Sequence, residues 1–147
     1  MIYNSIPVVM IPALNCNEQL FKHQINTLKI KGYQFIVVDN TKYSTNKEMA
    51  NHVLNTSPPK FHLIGLSLGG YTAFELIKQQ VYRVEKLILF STTARPDSYE
   101  KKKKRIERIS EVKKGNLAIE TKKLWNSMVA KHRVKDQILF EVYSKML

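Results

Sequence analysis

Four short runs rich in β-branched and aliphatic residues, at 6–11, 33–38, 61–66 and 86–90, are separated by stretches of helical periodicity. Their near-continuous apolarity, with little alternation, is what parallel strands covered on both faces require. The intervening segments carry helix signals. Asn15 and Glu18 have capping-box spacing ahead of a stripe of Leu20, Phe21, Ile25 and Leu28 that runs up to Gly32. Thr45 and Glu48 repeat the signal, with Met49, Ala50, Val53 and Leu54 on one face until Pro58 and Pro59 stop the helix. A third helix is expected from near Leu68, bearing Tyr71, Phe74, Leu76 and Ile77. Strand–helix alternation of this kind predicts βαβ units with right-handed crossovers and a partial, doubly wound parallel sheet of about four strands.

Beyond residue 94 the period becomes helical only, so two regions are expected: an α/β core over 1–94 and a helical region over 95–147. Ile106, Ile109 and Val112 form one stripe, closed by Gly115 as a C′ residue. Leu117, Thr121, Leu124, Trp125 and Met128 form a second, and Leu139, Val142, Tyr143 and Met146 a third after Asp136. The net charge of +12 divides unequally, +4 before residue 95 and +8 from residue 95 onward. Its centre is the run Lys101, Lys102, Lys103, Lys104, Arg105. Such a run attracts polyanions, but it lacks interleaved aromatics that stack on bases, so a solvated helix face is the plainer reading and a nucleic-acid partner is not expected.

The single Cys excludes an internal disulfide, and no Cys/His spacing suggests zinc. Cys16 reads as a small buried hydrophobe rather than a reactive thiol. The N-terminus lacks a basic n-region, and its apolar run is shorter than a signal peptide or membrane span needs, so a cytoplasmic chain without a membrane span is expected. Asp39 ends the second run, where a ribose-binding acid could sit. No G-x-G-x-x-G follows the first run, however, so Asp39 is a loop carboxylate and no cofactor is expected.

The chemistry lies in the window Gly65-Leu66-Ser67-Leu68-Gly69-Gly70, which holds three of the five glycines and the pattern G-x-S-x-G. Chance alone places that pattern in roughly one chain of this length in twenty. Its position is more telling, because a buried strand here hands over to a helix, the context of a nucleophile elbow. The spacing has a steric reason: the serine sits on a sharp turn, and Gly65 and Gly69 leave room for strand and helix to approach. The turn would present the Ser67 hydroxyl at the carboxyl end of the sheet, with the helix N-terminus behind it and the Leu68 N–H as an oxyanion donor.

From its first strand to about residue 110 the chain resembles the α/β-hydrolase superfamily, in particular its compact bacterial serine hydrolases. The resemblance rests on Val8-Val9-Met10-Ile11-Pro12-Ala13-Leu14, on the elbow through Tyr71, on Arg83-Val84-Glu85-Lys86-Leu87 and on Ser91-Thr92-Thr93-Ala94-Arg95-Pro96-Asp97. It implies a sheet order like strands 4-3-5-6 of that fold, with the first strand between the second and third, and a topological switch point at its carboxyl end. It also implies the Leu14 N–H as second oxyanion donor, although Ala13 stands where the family often has glycine. The helical region after Pro96 would be the cap, and the substrate a small molecule with an ester or related acyl bond.

A serine needs a base, and in this fold the chain order is Ser, then Asp or Glu, then His. His23, His52 and His62 precede Ser67, and the later candidates are weak. His132 and Asp136, four apart, have the spacing of a surface ion pair on a helix. Asp97 follows the fourth run but reads well as a helix N-cap. The chain is therefore expected to be the N-terminal part of a hydrolase, without the triad acid and His, its fourth strand an uncovered edge that self-association or a C-terminal fragment would relieve. The alternative is a non-catalytic remnant that binds an acidic partner through the basic cap. Trp125, Tyr99 and Met128 are explained equally by an acyl pocket under the cap or by core packing.

Overall fold

The computed structural model describes residues 6–146; residues 1–5 and 147, the outer ends of the two expected regions, lie outside the described residues. Two compact units are present, Met1–Ala94 and Arg95–Leu147. In the first, strands β1 (Val8–Ile11), β2 (Phe35–Val37), β3 (Phe61–Leu66) and β4 (Val84–Phe90) form one parallel sheet of order β2-β1-β3-β4. Helices α1 (Lys22–Lys29), α2 (Asn46–Thr56) and α3 (Leu68–Gln80) connect them. The chain leaves β1 first to one side and then to the other, which opens a crevice at its carboxyl end.

Side-chain alternation on β1 divides the core. Val9 and Ile11 pack with Val38, Ala50, Val53, Leu54, Phe61, Leu63, Ala73 and Leu76, the faces of α2 and α3. Val8 and Met10 pack on the other side with Phe21, Leu20 and Ile25, contributed by the segment leading into α1 and by α1 itself. The sheet is thus not covered evenly. One face carries two helices and the other only one, so His62, Ile64 and Leu66 on β3 are half-buried while Phe61, Leu63 and Gly65 are buried. On β4, Leu87, Ile88 and Phe90 are 38%, 46% and 50% exposed, against the expectation of strands covered on both faces.

Local signals placed α2 correctly. The Thr45 hydroxyl accepts from the Glu48 N–H while the Glu48 carboxylate accepts from the Thr45 N–H, a reciprocal capping box. The first helical segment differs from its reading. Asn17, not Asn15, is the cap, accepting from the Gln19 N–H at 3.0 Å at the start of a 3-10 turn, Glu18–Phe21, that leads into α1. Asn15 instead has φ +59 within a turn closed by the Cys16 N–H on the Ala13 carbonyl at 3.1 Å. A left-handed third residue is the mark of a type II turn, a place that Asn tolerates. On α3 the buried residues are Gly69, Gly70, Thr72, Ala73 and Leu76, not the aromatic positions. Small residues face the sheet because the helix lies close to it.

In the second unit, α4 (Tyr99–Lys113), α5 (Leu117–Met128) and α6 (Gln137–Ser144) follow. Gly115 is left-handed at φ +91, as its C′ position requires. The core is aromatic: the Trp125 indole lies 5.4 Å from Phe140 and 5.6 Å from Tyr143 between ring centres and donates to the Val134 carbonyl at 3.1 Å. The expected stripe on α4 is left uncovered, since that helix has no buried residue. Among the described residues no helix is long and apolar enough to cross a membrane.

Candidate active site

Ser67 falls between the last residue of β3 and the first of α3, with φ +53 and ψ −110. Non-glycine residues reach such dihedrals only where the surroundings hold them there, at a cost of about 1–3 kcal/mol. Three hydrogen bonds to its peptide groups do the holding. The Ser67 N–H donates to the Phe90 carbonyl at 2.9 Å, and the Ser67 carbonyl accepts from the Gly70 N–H at 2.9 Å and the Thr92 hydroxyl at 3.0 Å. The side chain is half-buried, and among the described residues its hydroxyl makes no hydrogen bond.

The glycines are required by contact rather than by dihedral angle. A Cβ on Gly65 would lie 2.7 Å from the Gly69 carbonyl oxygen and 3.0 Å from the Gly70 Cα. One on Gly69 would collide with the Ile11 carbonyl oxygen and lie 2.9 Å from that of Pro12. The end of β1 is therefore pressed against the first turn of α3, and Leu14 follows three residues later in the Ala13–Cys16 turn. Neither the Leu14 nor the Leu68 N–H has a hydrogen-bond acceptor among the described residues. The site thus joins three pieces of chain: the β1 turn, the elbow, and the end of β4.

Two contributors escaped the motif reading. Gly70 lies outside G-x-S-x-G, yet a Cβ there would sit 2.6 Å from the Thr92 Cβ. Thr92 itself clamps the Ser67 carbonyl, and it is turned into place just after Ser91, which is left-handed at φ +48. The available signals were the third glycine and the Ser-Thr-Thr cluster that ends the fourth strand.

The weak acid candidates each have local partners. Asp97 is not an N-cap: Ser98 caps α4, accepting from the Lys101 N–H at 3.3 Å, while Asp97 accepts from Arg105 Nε at 2.5 Å. The hydrogen bond from Arg105 holds the Asp97 carboxyl below its ordinary pKa. His132 lies in a short 3-10 turn, Lys131–Arg133, and does not pair with Asp136. Asp136 caps α6 through the Leu139 N–H and takes Arg133 as its ion-pair partner at 2.7 Å. Of the earlier histidines, His52 Nδ1 lies 3.0 Å from the Tyr43 hydroxyl. Asp39 accepts from the Thr41 N–H and hydroxyl, which lower its pKa. Cys16 is half-buried rather than buried, and desolvation pushes its thiol up. Trp125 belongs to the core of the second unit, whereas Tyr99 and Met128 are exposed. Among the described residues no group of three His, Cys, Asp or Glu could hold a metal ion.

Known proteins share this arrangement of strands and helices. A thermophilic esterase from Thermogutta terrifontis superposes with a TM-score of 0.77 at 24% identity, over 97% of this chain and 57% of its own. The fold is that of the α/β-hydrolases. An N-acyl homoserine lactone degrading enzyme gives 0.68 at 17% identity over the same shares, and an extracellular α/β-hydrolase from a Paenibacillus species gives 0.60 at 16% over 73% of this chain and 52% of its own. By sequence, 52 residues are 42% identical to pimeloyl-(acyl-carrier protein) methyl ester esterase of Nitrosospira multiformis, 35% of this chain and 20% of that enzyme. The chain spans about half the length of these solved α/β-hydrolases and a fifth of the curated esterase. No family model matches it.

Proposed function

We propose that this chain carries the nucleophile of a serine hydrolase acting on a carboxylic ester or related acyl bond, with Ser67 as the attacking residue. The observation that supports it most is the left-handed Ser67 between β3 and α3, with Gly65, Gly69 and Gly70 each at van der Waals limits against a neighbour. A serine packed for stability alone would not need that strain. Two of the similar proteins are described as esterases and a third as an N-acyl homoserine lactone degrading enzyme, descriptions that favour an ester or related acyl substrate.

In this reading Ser67 Oγ attacks the substrate carbonyl carbon, and the carbonyl oxygen gains negative charge as the tetrahedral intermediate forms. The N–H groups of Leu68 and Leu14 donate to that oxygen, aided by the N-terminal dipole of α3. The serine proton must pass to a base. No described His, Asp or Glu hydrogen-bonds Ser67, and the proposal places the triad acid and His outside the described residues. Half-buried Cys16 is in keeping with a reducing, cytoplasmic setting.

The test is labelling of the purified chain by a fluorophosphonate. Specific labelling that disappears in Ser67→Ala supports the assignment, and equal labelling of both proteins removes it. With the base absent, oxyanion stabilisation alone would leave turnover roughly 10³- to 10⁴-fold above water, the residue seen in base-deleted serine proteases.

A second reading is favoured by one feature of the helical unit. Lys101, Lys104, Arg105 and Arg108 line a surface depression of about 200 Å³ on α4. In that reading the chain is a non-catalytic relative that binds an acidic partner there. It requires salt-sensitive retention on a heparin matrix, lost when Lys101 to Lys104 are neutralised; unchanged retention argues against it.

A further inference from the structure

The Ser67 carbonyl and the Leu68 N–H belong to one peptide unit, which is planar and trans, so the direction of either group fixes that of the other. Both lone pairs of the carbonyl oxygen are engaged. The Gly70 N–H donates to it at 2.9 Å and the Thr92 hydroxyl at 3.0 Å. The first bond arises within the elbow's own turn and moves with it. The second comes from the segment that follows the pairing of Leu66 with Phe90, and it anchors the peptide to a separate strand. The Leu68 N–H points the opposite way, where no acceptor meets it among the described residues.

The reach of Thr92 depends on what Gly70 lacks. A Cβ on Gly70 would collide with Thr92 Oγ1 and lie 2.6 Å from the Thr92 Cβ. Ser91, left-handed at φ +48, turns the chain so that Thr92 enters this gap. Branching at Cβ limits the threonine side chain to few rotamers, which keeps its hydroxyl on the carbonyl. We infer that Thr92 is a positioning residue for the oxyanion hole, aiming and polarising the Leu68 N–H through the Ser67–Leu68 peptide. The inference rests on the hydrolase reading with Ser67 as nucleophile.

Thr92 acts through that peptide and exchanges no proton. A hydrogen bond to a peptide carbonyl draws electron density toward the oxygen and makes the N–H of the same peptide a stronger donor, as bonds in a chain polarise one another. When the substrate carbonyl oxygen gains charge, the chain runs from the Thr92 hydroxyl through the Ser67 carbonyl and the Leu68 N–H to that oxygen. Its dipoles are aligned before the charge develops, so little reorganisation accompanies attack. Without the hydroxyl, the Gly70 N–H alone holds the carbonyl and the peptide can rock. The loss is greatest for an acceptor that bears charge, and small for an atom that accepts hydrogen bonds weakly.

Two measurements on the full chain test this. Ser67–Leu68 is the only Ser-Leu pair in the sequence, so isotope labels on serine carbonyl carbon and leucine nitrogen give a single NMR cross-peak, that of this peptide. In Thr92→Val the cross-peak should move as the carbonyl loses a hydrogen bond, and Thr92→Ser should return it most of the way. For kinetics, a fluorophosphonate is compared with its thiono counterpart, in which sulfur, a weak acceptor, replaces the phosphoryl oxygen. Thr92→Val should slow Ser67 labelling by the oxygen probe about tenfold, short of the roughly 10²- to 10³-fold lost with an oxyanion donor itself, and by the sulfur probe about twofold or less. Thr92→Ser should recover the oxygen-probe rate. A residue that only kept the elbow folded would slow both probes alike. Circular dichroism shows whether Thr92→Val folds, and Thr92→Ala is the second variant if it does not. An unmoved cross-peak, equal slowing with both probes, or no recovery in Thr92→Ser would each overturn the inference while leaving Ser67 in place. A wild-type chain that neither probe labels removes the hydrolase reading itself, and this inference with it.

Discussion

The Thr92 hydroxyl donates to the Ser67 carbonyl at 3.0 Å, tying the segment after β4 to the turn that raises the candidate nucleophile. Together with the Ser67 N–H on the Phe90 carbonyl, it places both peptide groups of Ser67 under the control of one neighbouring strand. The elbow is thus held from the side, by a strand paired with β3, as well as by its own glycines.

Thr92→Val keeps the shape and removes the hydroxyl. It should lower the stability of the first unit by about 1 kcal/mol, the worth of an ordinary hydrogen bond. Labelling of Ser67 should fall by a larger factor than stability does, because the bond acts on the turn itself. Urea denaturation beside fluorophosphonate kinetics checks both.

Gly69→Ala should cost about 3 kcal/mol or prevent folding, since the new methyl collides with the carbonyl of Ile11 and neither backbone can yield without parting β1 from α3. Gly115→Ala is the contrast. Nothing lies within 4 Å of a Cβ there, and only the left-handed φ of +91 opposes it, for about 1 kcal/mol. Thermal unfolding of the two variants should rank them in that order.

Arg83 gathers the chain between α2 and β3. Its guanidinium donates to the carbonyls of Leu54, Ser57, Pro58 and Pro59 at 2.7–3.2 Å and lies 5.5 Å from the centre of the Phe61 ring. Arg83→Met should destabilise the first unit by about 2–3 kcal/mol, as expected for charge-assisted bonds to half-buried carbonyls. Arg83→Lys should recover little of the loss, because an ammonium cannot reach four carbonyls from one plane. Denaturation midpoints of the three proteins decide.

The helical unit should weaken in acid. The hydrogen bond from Arg105 depresses the Asp97 pKa, and the bond from the Leu139 N–H, aided by Arg133, depresses that of Asp136. A depressed carboxyl contributes stability above its unfolded value, about 3.9, and loses it as the pH falls through the folded value. Helicity should therefore hold at neutral pH and decline below about pH 4. Asp97→Asn should flatten part of that decline in a circular dichroism titration.

Several local readings failed where two residues of one type competed. Asn15 and Asn17 both cap well, and the choice fell to Asn17 because the turn that ends β1 needed Asn15 at a positive φ. Asp97 and Ser98 are neighbouring cap formers, and Arg105, eight residues away, drew Asp97 aside and left Ser98 to cap α4. Asp136 likewise took Arg133 rather than His132. Spacing alone does not rank such competitors, because the deciding partner is set by how the chain turns.

Strand–helix alternation, the capping box at Thr45 and Glu48 and the glycine-flanked serine were all legible in the chain itself, while the sheet order came from the family resemblance. Each depends on interactions between near neighbours or on a buried strand's need for unbroken apolarity. The clamp of Thr92 on Ser67, the contact between Gly69 and Ile11, and the exposure of the α4 stripe were decided only by the tertiary structure. They depend on which strands lie side by side and in what register, and an apolar run has the same composition whether a neighbour covers it or water does.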